Sequence, residues 1–383
     1  MIQKSLYNNF NGKKLEQARA IRNKTLQETA EAVGLTHQSI SKYEKNKAIP
    51  SIEVLQKLSD FLNFELTFFY TAEIESTFFE HSFIYRSKAS VAKKYKDQTE
   101  TKIGLIDLLV KHIRTKVNIP SFDNNLLKRE SIEFKSTPDE EIERITLAIR
   151  EKFHLSDGPI SNITALCEKL GLYVFFLDLE EQGIDACSVL IKETPYIILN
   201  KNITSSVRIR FNIAHELGHI ILHSSYDRKI VNKSLYSKQL EYEANLFASS
   251  LLLPDTGISK DLSALGLDYL LILKKHWLVS IQAIIYRAEK LEIYTPEYSL
   301  YLRQQISRKK WRTFEPYDDE IPIEKPKLFT HALNYLQNKM NYSISQLSFD
   351  TGIKAEEILC YCITEELISN ENIKASNGLK RIK

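Results

Sequence analysis

The run RIRFNIAHELGHIILH places His215 and His219 four residues apart around Glu216, in the HExxH spacing. On a helix, positions four apart share a face, so both imidazoles can reach one divalent ion, and zinc is the ion that this spacing suits. Glu216 lies about 100° around the helix from His215, near enough to take a proton from a metal-bound water without being a ligand. The chemistry in view is metal-assisted hydrolysis with Glu216 as general base. HExxH arises by chance in on the order of one chain in a hundred of this size, so a third ligand is required.

His223 extends the same helical face, but about 12 Å of helix separates it from His215, too far for a shared ion with bonds of about 2 Å. It reads as an outer or packing residue. Ser225 stands where the metzincin pattern needs a histidine six residues after His219, which excludes that class. The next helical segment, KQLEYEANLFASSLLLP, offers Glu241 and Glu243. Glu241 falls within the apolar arc of Leu240, Ala244, Ala248 and Leu251, with Glu243 outside it, so Glu241 is favoured as third ligand. Ala244 and Ala248 are small enough to let the two helices approach. No oxyanion-stabilising group stands out; His223, His276 and Tyr242 are candidates that the sequence does not separate.

The segments RIRFNIAHELGHIILH and EYEANLFASSLLLP, with the upstream strand YIILN, resemble the ImmA/IrrE family of metallopeptidases over roughly residues 140–294. The resemblance implies a gluzincin-like zinc site with its third ligand at the first Glu of ExxAN, which is Glu241. It also implies a role in cleaving or inactivating repressors of phages, mobile elements or stress genes, often beside a repressor-type DNA-binding domain.

A second chemistry lies near the N-terminus. Thr25 and Glu28 form a capping box, Gly34 permits a turn, and Thr36 can cap the following helix. Ile40 and Tyr43 can pack inward, which leaves His37, Gln38, Ser41 and Lys42 facing out. Gln can bond adenine and Lys can donate to guanine in a major groove. ETAEAVGLTHQSISKYEKNKAIPS resembles the phage-repressor (XRE) type of helix-turn-helix, including Glu44 and Pro50; Thr29 departs from it where Leu is usual. The resemblance implies a double-stranded DNA operator as partner, bound by a homodimer. Residues 1–50 carry nine Lys or Arg against four Glu, an excess that suits phosphate.

These sites need scaffolds. A chain of 383 residues exceeds what one core serves, and 43% hydrophobic with 26% charged residues allows real cores. The expected fold class is α+β and predominantly helical. Residues 11–72 form an all-α helix-turn-helix bundle, and 73–138 a helical connector. Residues 139–312 form an α+β gluzincin-like domain whose small sheet uses LYVFFLD, ACSVLI and YIILN, bounded by Gly171, Gly183 and Pro195. Residues 320–383 form a small helical domain in which SISQLSFDTGIKAEEI has a degenerate helix-turn-helix pattern.

Cys167, Cys187, Cys360 and Cys362 contain no CxxC pair, and no apolar run approaches the roughly 20 residues of a membrane span. Reduced thiols and a cytoplasmic location are expected, with no membrane partner. Two functions fit: a DNA-binding regulator with a zinc endopeptidase that cuts a repressor protein, or a non-enzymatic transcription factor or antitoxin whose metallopeptidase-like domain senses or binds a partner.

Overall fold

A computed structural model describes residues 10–71, 84–87, 93–127, 134–179, 184–226, 234–263 and 265–362. They cluster into two compact units, and the chain passes from the first to the second and back twice.

Among the described residues the first unit opens with α1 (Gly12–Ile21), α2 (Leu26–Val33), α3 (His37–Glu44) and α4 (Ile52–Leu62), followed by a 3-10 turn at Leu66–Tyr70. The expected punctuation is present. Thr25 and Glu28 make both hydrogen bonds of the capping box, and Gly34 ends α2 in the left-handed conformation, at φ 73°. Leu15, Ala18, Ile40, Leu55, Leu58 and Phe68 are buried between these short helices. Glu44 is buried and takes the guanidinium of Arg19, Nε to Oε1 at 2.6 Å, which ties α1 to the end of α3.

The next described strand, β1 (Ile84–Ser87), belongs to the second unit, whereas α5 (Lys93–Arg114) belongs to the first. The segment 73–138 is therefore not a purely helical connector. In a run of so few residues beside aromatic and basic stretches, period-2 patterning gives little to read; the pairing of β1 with another strand is what defines it. The remaining residues of the aromatic and basic stretches within 72–92 lie outside the described residues.

The second unit continues with α6 (Asp139–Lys152) and α7 (Ile163–Lys169), then β2 (Tyr173–Leu177), β3 (Ile184–Ile191) and β4 (Thr194–Asn200). The strands lie in the order β1-β3-β4-β2. β3 runs antiparallel to both β1 and β4, and β2 runs parallel to β4. Pro195 lies inside β4 opposite Leu190 rather than bounding the strand, and the hairpin turns at Lys192, with φ 54°. Nearly every side chain of β2, β3 and β4 is buried, because helices cover these strands. Among the described residues six helices follow: α8 (Ser206–His223), α9 (Ser234–Leu252), α10 (Asp255–Asp261), α11 (Leu267–Trp277), α12 (Ile281–Lys290) and α13 (Pro296–Arg308). No helix among the described residues is long and apolar enough to cross a membrane.

The chain then returns to the first unit through α14 (Leu328–Lys339), α15 (Ile344–Thr351) and α16 (Ala355–Cys360). The sequence sets 320–383 apart as a domain; these amphipathic helices instead bury their apolar faces against the N-terminal bundle, and 363–383 lies outside the described residues. Phe64 bridges Ile353, and the amide of Glu65 donates to the carbonyl of Gly352 at 2.9 Å. Gly352 has φ 75°, and a Cβ there would come within 2.3 Å of Phe68 Cα, so both its conformation and its close approach need glycine. The helix-turn-helix outline of α15 and α16 exists, but Glu356 and Glu357 open its second helix, and Glu357 is ion-paired to Arg22. Two carboxylates there disfavour a phosphate backbone.

Candidate metal centre and DNA-reading face

Helix α8 is unlike a surface helix: apart from Arg208 and Phe211, its side chains from Ser206 to His223 are buried. It is enclosed by the sheet and by α9, so its histidines are held in fixed rotamers. Gly218, between His215 and His219, sets the approach of α9. A Cβ there would lie 3.1 Å from the Phe247 ring, and Ala244 and Ala248 keep the facing surface equally low.

His215, His219 and Glu241 come together. Their ligand atoms lie within 4.8 Å of one another. The two Nε2 atoms are 3.0 Å apart, and the Glu241 carboxylate lies 3.5 Å from each. Ligands about 2.0–2.1 Å from a tetrahedral ion are separated by roughly 3.3–3.4 Å, so this nitrogen, nitrogen and carboxylate set fits a zinc-sized ion. The donor chemistry agrees with borderline metals and leaves a fourth position to solvent or substrate.

Glu241 meets the histidines from a more exposed position than its place in the apolar arc implies. Glu243 is the fully buried carboxylate, whereas the Glu241 side chain is 39% exposed. Glu243 lies within the helix pair because it has partners there. It accepts from Ser136 Oγ and the Thr137 amide, both at 3.1 Å, and from Gln239 Nε2 at 3.0 Å, and it meets His223 Nε2 at 3.1 Å. Burial pushes the Glu243 carboxyl up, but the hydrogen bonds from His223, Gln239 and the Thr137 amide outweigh it and hold it below the usual carboxylate range. A helical wheel sees only side chains on its own helix, and of these partners Ser136, Thr137 and His223 come from elsewhere.

The outer groups are also in place. His215 Nδ1 lies 3.0 Å from Asn245 Oδ1, and His219 Nδ1 lies 2.9 Å from His223 Nδ1, so both rings turn Nε2 toward the shared point. Glu216 is buried, and its Oε2 accepts from Ser188 Oγ at 2.6 Å. Ser188 sits on β3 opposite Ile197, and sequence reasoning missed it because a serine in an apolar strand carries no spacing signal. Of the oxyanion candidates, His223 stands behind His219. The Tyr242 hydroxyl is bonded to Asp139 and Lys290, and His276 on α11 lies 3.8 Å from Asp261.

In the first unit, α3 exposes His37, Gln38 and Lys42 and half-buries Ser41, while Ile40 is buried. Among the described residues none of the four outward side chains has a hydrogen-bond or ionic partner, so their donors and acceptors are available. Thr29 is accommodated as a fully buried residue whose Oγ1 donates to Thr25 O at 2.8 Å.

Comparison with known proteins finds matches in both regions. Residues 167–289 match the IrrE N-terminal-like domain and residues 15–69 match the helix-turn-helix family. The chain thus combines an N-terminal XRE-type helix-turn-helix domain with a more C-terminal metallopeptidase-family domain of the ImmA/IrrE kind. It is 33% identical to metallopeptidase ImmA of Bacillus subtilis (strain 168) over 104 residues, 27% of this chain and 60% of that protein. It is 39% identical to uncharacterized immunity region protein 2 of Bacillus phage phi105 over 71 residues, 18% of this chain and 44% of the phage protein. The matches therefore span about half the length of these relatives. The family implies a metal ion.

Proposed function

We propose that this protein is a DNA-binding regulator whose second unit is a zinc-dependent endopeptidase that cleaves a repressor protein. The observation that carries the reading is the convergence of His215 Nε2 and His219 Nε2, on the buried helix α8 that also bears Glu216, with the Glu241 carboxylate of α9. The relatives' names, a metallopeptidase and a phage immunity region protein, are consistent with it.

His215, His219 and Glu241 would hold the ion, which supplies Lewis-acid polarisation to a water nucleophile and to the peptide carbonyl. Glu216 accepts the water proton on its carboxylate and returns it to the departing amine nitrogen, so the base is regenerated as the C–N bond breaks. Ser188 keeps one carboxylate oxygen engaged and so fixes the rotamer of the base. Asn245 and His223 orient the two rings through their Nδ1 atoms. On α3, Gln38 and Lys42 read base edges, with His37 and Ser41 beside them.

The test begins with metal content of the purified full chain, alongside His219→Ala and Glu241→Ala. About one zinc per chain, lost in both variants, is expected. Glu216→Gln is then compared with wild type for relief of repression in cells. Relief that survives this substitution would move the assignment to the non-enzymatic regulator.

A further inference from the structure

A cavity of about 540 Å³ runs along the exposed flank of α8, lined there by Arg208, Phe211 and Asn212. Its volume is within the roughly 300–1,000 Å³ of ligand sites. Asn245 forms part of the same wall and meets His215 Nδ1 at 3.0 Å, so one side chain separates the cavity from a candidate metal ligand.

The charges around this cavity are almost all internally matched. Arg208 is paired with Asp185. Glu315 and Asp318 share the fully buried ammonium of Lys274. Glu315 further accepts from the amides of Ile281 at 2.8 Å and Gln282 at 3.4 Å, and Asp318 accepts from the Glu315 amide at 3.0 Å. Arg312 is the exception. Its carbonyl accepts from Gln282 Nε2 at 3.3 Å, which ties its backbone to the wall, yet its exposed guanidinium has no partner among the described residues. A guanidinium with its planar donor fork unspent, on a wall where the other charges are matched, is a carboxylate receptor.

We propose that this cavity is the substrate subsite of the peptidase, that it takes a peptide segment bearing an Asp or Glu side chain, and that Arg312 binds that carboxylate while Phe211 and Tyr286 pack against the uncharged remainder. The inference rests on the peptidase reading above and adds the class of sequence that is cut.

The test digests a proteome-derived peptide library with the zinc-loaded full chain and maps the cut sites by mass spectrometry. Wild type is expected to enrich Asp and Glu at one fixed position by about tenfold, the order of one charge-assisted contact. Arg312→Glu is expected to lose that enrichment or turn it toward Lys and Arg, with zinc content retained. Ala283→Phe, which fills the cavity from α12, is expected to slow cleavage throughout the library. An acidic enrichment that persists in Arg312→Glu, or wild-type cleavage without any, overturns the subsite assignment and leaves the peptidase reading standing. A zinc-loaded wild type that cuts no peptide removes the peptidase reading, and the subsite with it.

Discussion

His223 Nε2 meets Glu243 Oε2 across 3.1 Å, with both side chains buried between α8 and α9, while Nδ1 of the same imidazole faces His219 Nδ1 at 2.9 Å. This chain of contacts fixes the tautomers. To present a lone pair at Nε2, a neutral His219 carries its proton on Nδ1 and donates it to His223 Nδ1. His223 then carries its own proton on Nε2 and gives that bond to Glu243. Glu243 is thus the acceptor that terminates the relay.

Glu243→Gln breaks the relay without changing size, because an amide must also satisfy Ser136, Thr137 and Gln239, which all donate to the same end of the side chain. The expected result is an affinity for zinc lowered by about 10–100-fold, the usual effect of removing an outer partner of a metal-ligating histidine. His223→Phe should fall in the same range. Competition with a chromophoric chelator measures it, and wild-type affinity in both variants would show that the relay only fills space.

Ser188 acts on the base rather than on the ligands. Ser188→Ala removes the 2.6 Å donor to Glu216, a hydrogen bond to a charged group worth about 1.5–3 kcal/mol. On a cleaved peptide, kcat should drop by about 10–100-fold at unchanged zinc content, with little effect on KM. Ser188→Thr, which keeps a hydroxyl, should restore part of the rate. A rise in KM at constant kcat would place Ser188 in substrate binding instead.

The two chemistries differ in how far the sequence discloses them. Local periodicity carries HExxH, the Thr25 capping box and Gly34, because each is a rule about residues three to nine apart. It carried Glu241 by the wrong argument, since Glu243 is the buried carboxylate. Ser188 and the relay partners Ser136 and Thr137 reach the centre through tertiary packing, which no spacing encodes. The placement of α14 to α16 was illegible for the same reason: Arg22 and Glu357 are 335 residues apart in the chain and ion-paired in the fold.

The exposed face of α3 makes a prediction about DNA. Gln38→Ala is expected to weaken binding to a specific operator by about 1–3 kcal/mol and to relax the preference at one base pair. Lys42→Ala should cost a similar amount if it reaches a guanine, and should weaken all sequences evenly if it reaches a phosphate. Titration of operator and scrambled duplexes at two salt concentrations separates these cases. Operator affinity unchanged in the Gln38→Ala and Lys42→Ala double variant would show that another face of the bundle reads the groove.

The first unit has a pH dependence of its own, because α5 is joined to the C-terminal helices through His112. His112 Nε2 meets Tyr342 Oη at 2.9 Å, and that hydroxyl donates to Asp350 Oδ2 at 2.6 Å. Partial burial, helped by the charge of Lys116 and opposed by that of Asp350, lowers the His112 pKa. The unfolded chain, with a histidine pKa of about 6.5, therefore binds the proton more readily than the folded one. The stability contributed by neutral His112 is complete above about pH 6.5 and is lost as the pH falls from there through the folded value. Asp350 works in a lower window. Burial raises its pKa, but bonds from Tyr342 and Gln346 and the charges of His112 and Lys116 lower it overall, so its contribution is lost only below about pH 4. Between about pH 7.5 and 5.5 the thermal midpoint of this unit should thus decline in wild type and decline less in His112→Gln, which keeps a donor but cannot titrate. Equal declines in the two proteins would place the titrating group elsewhere.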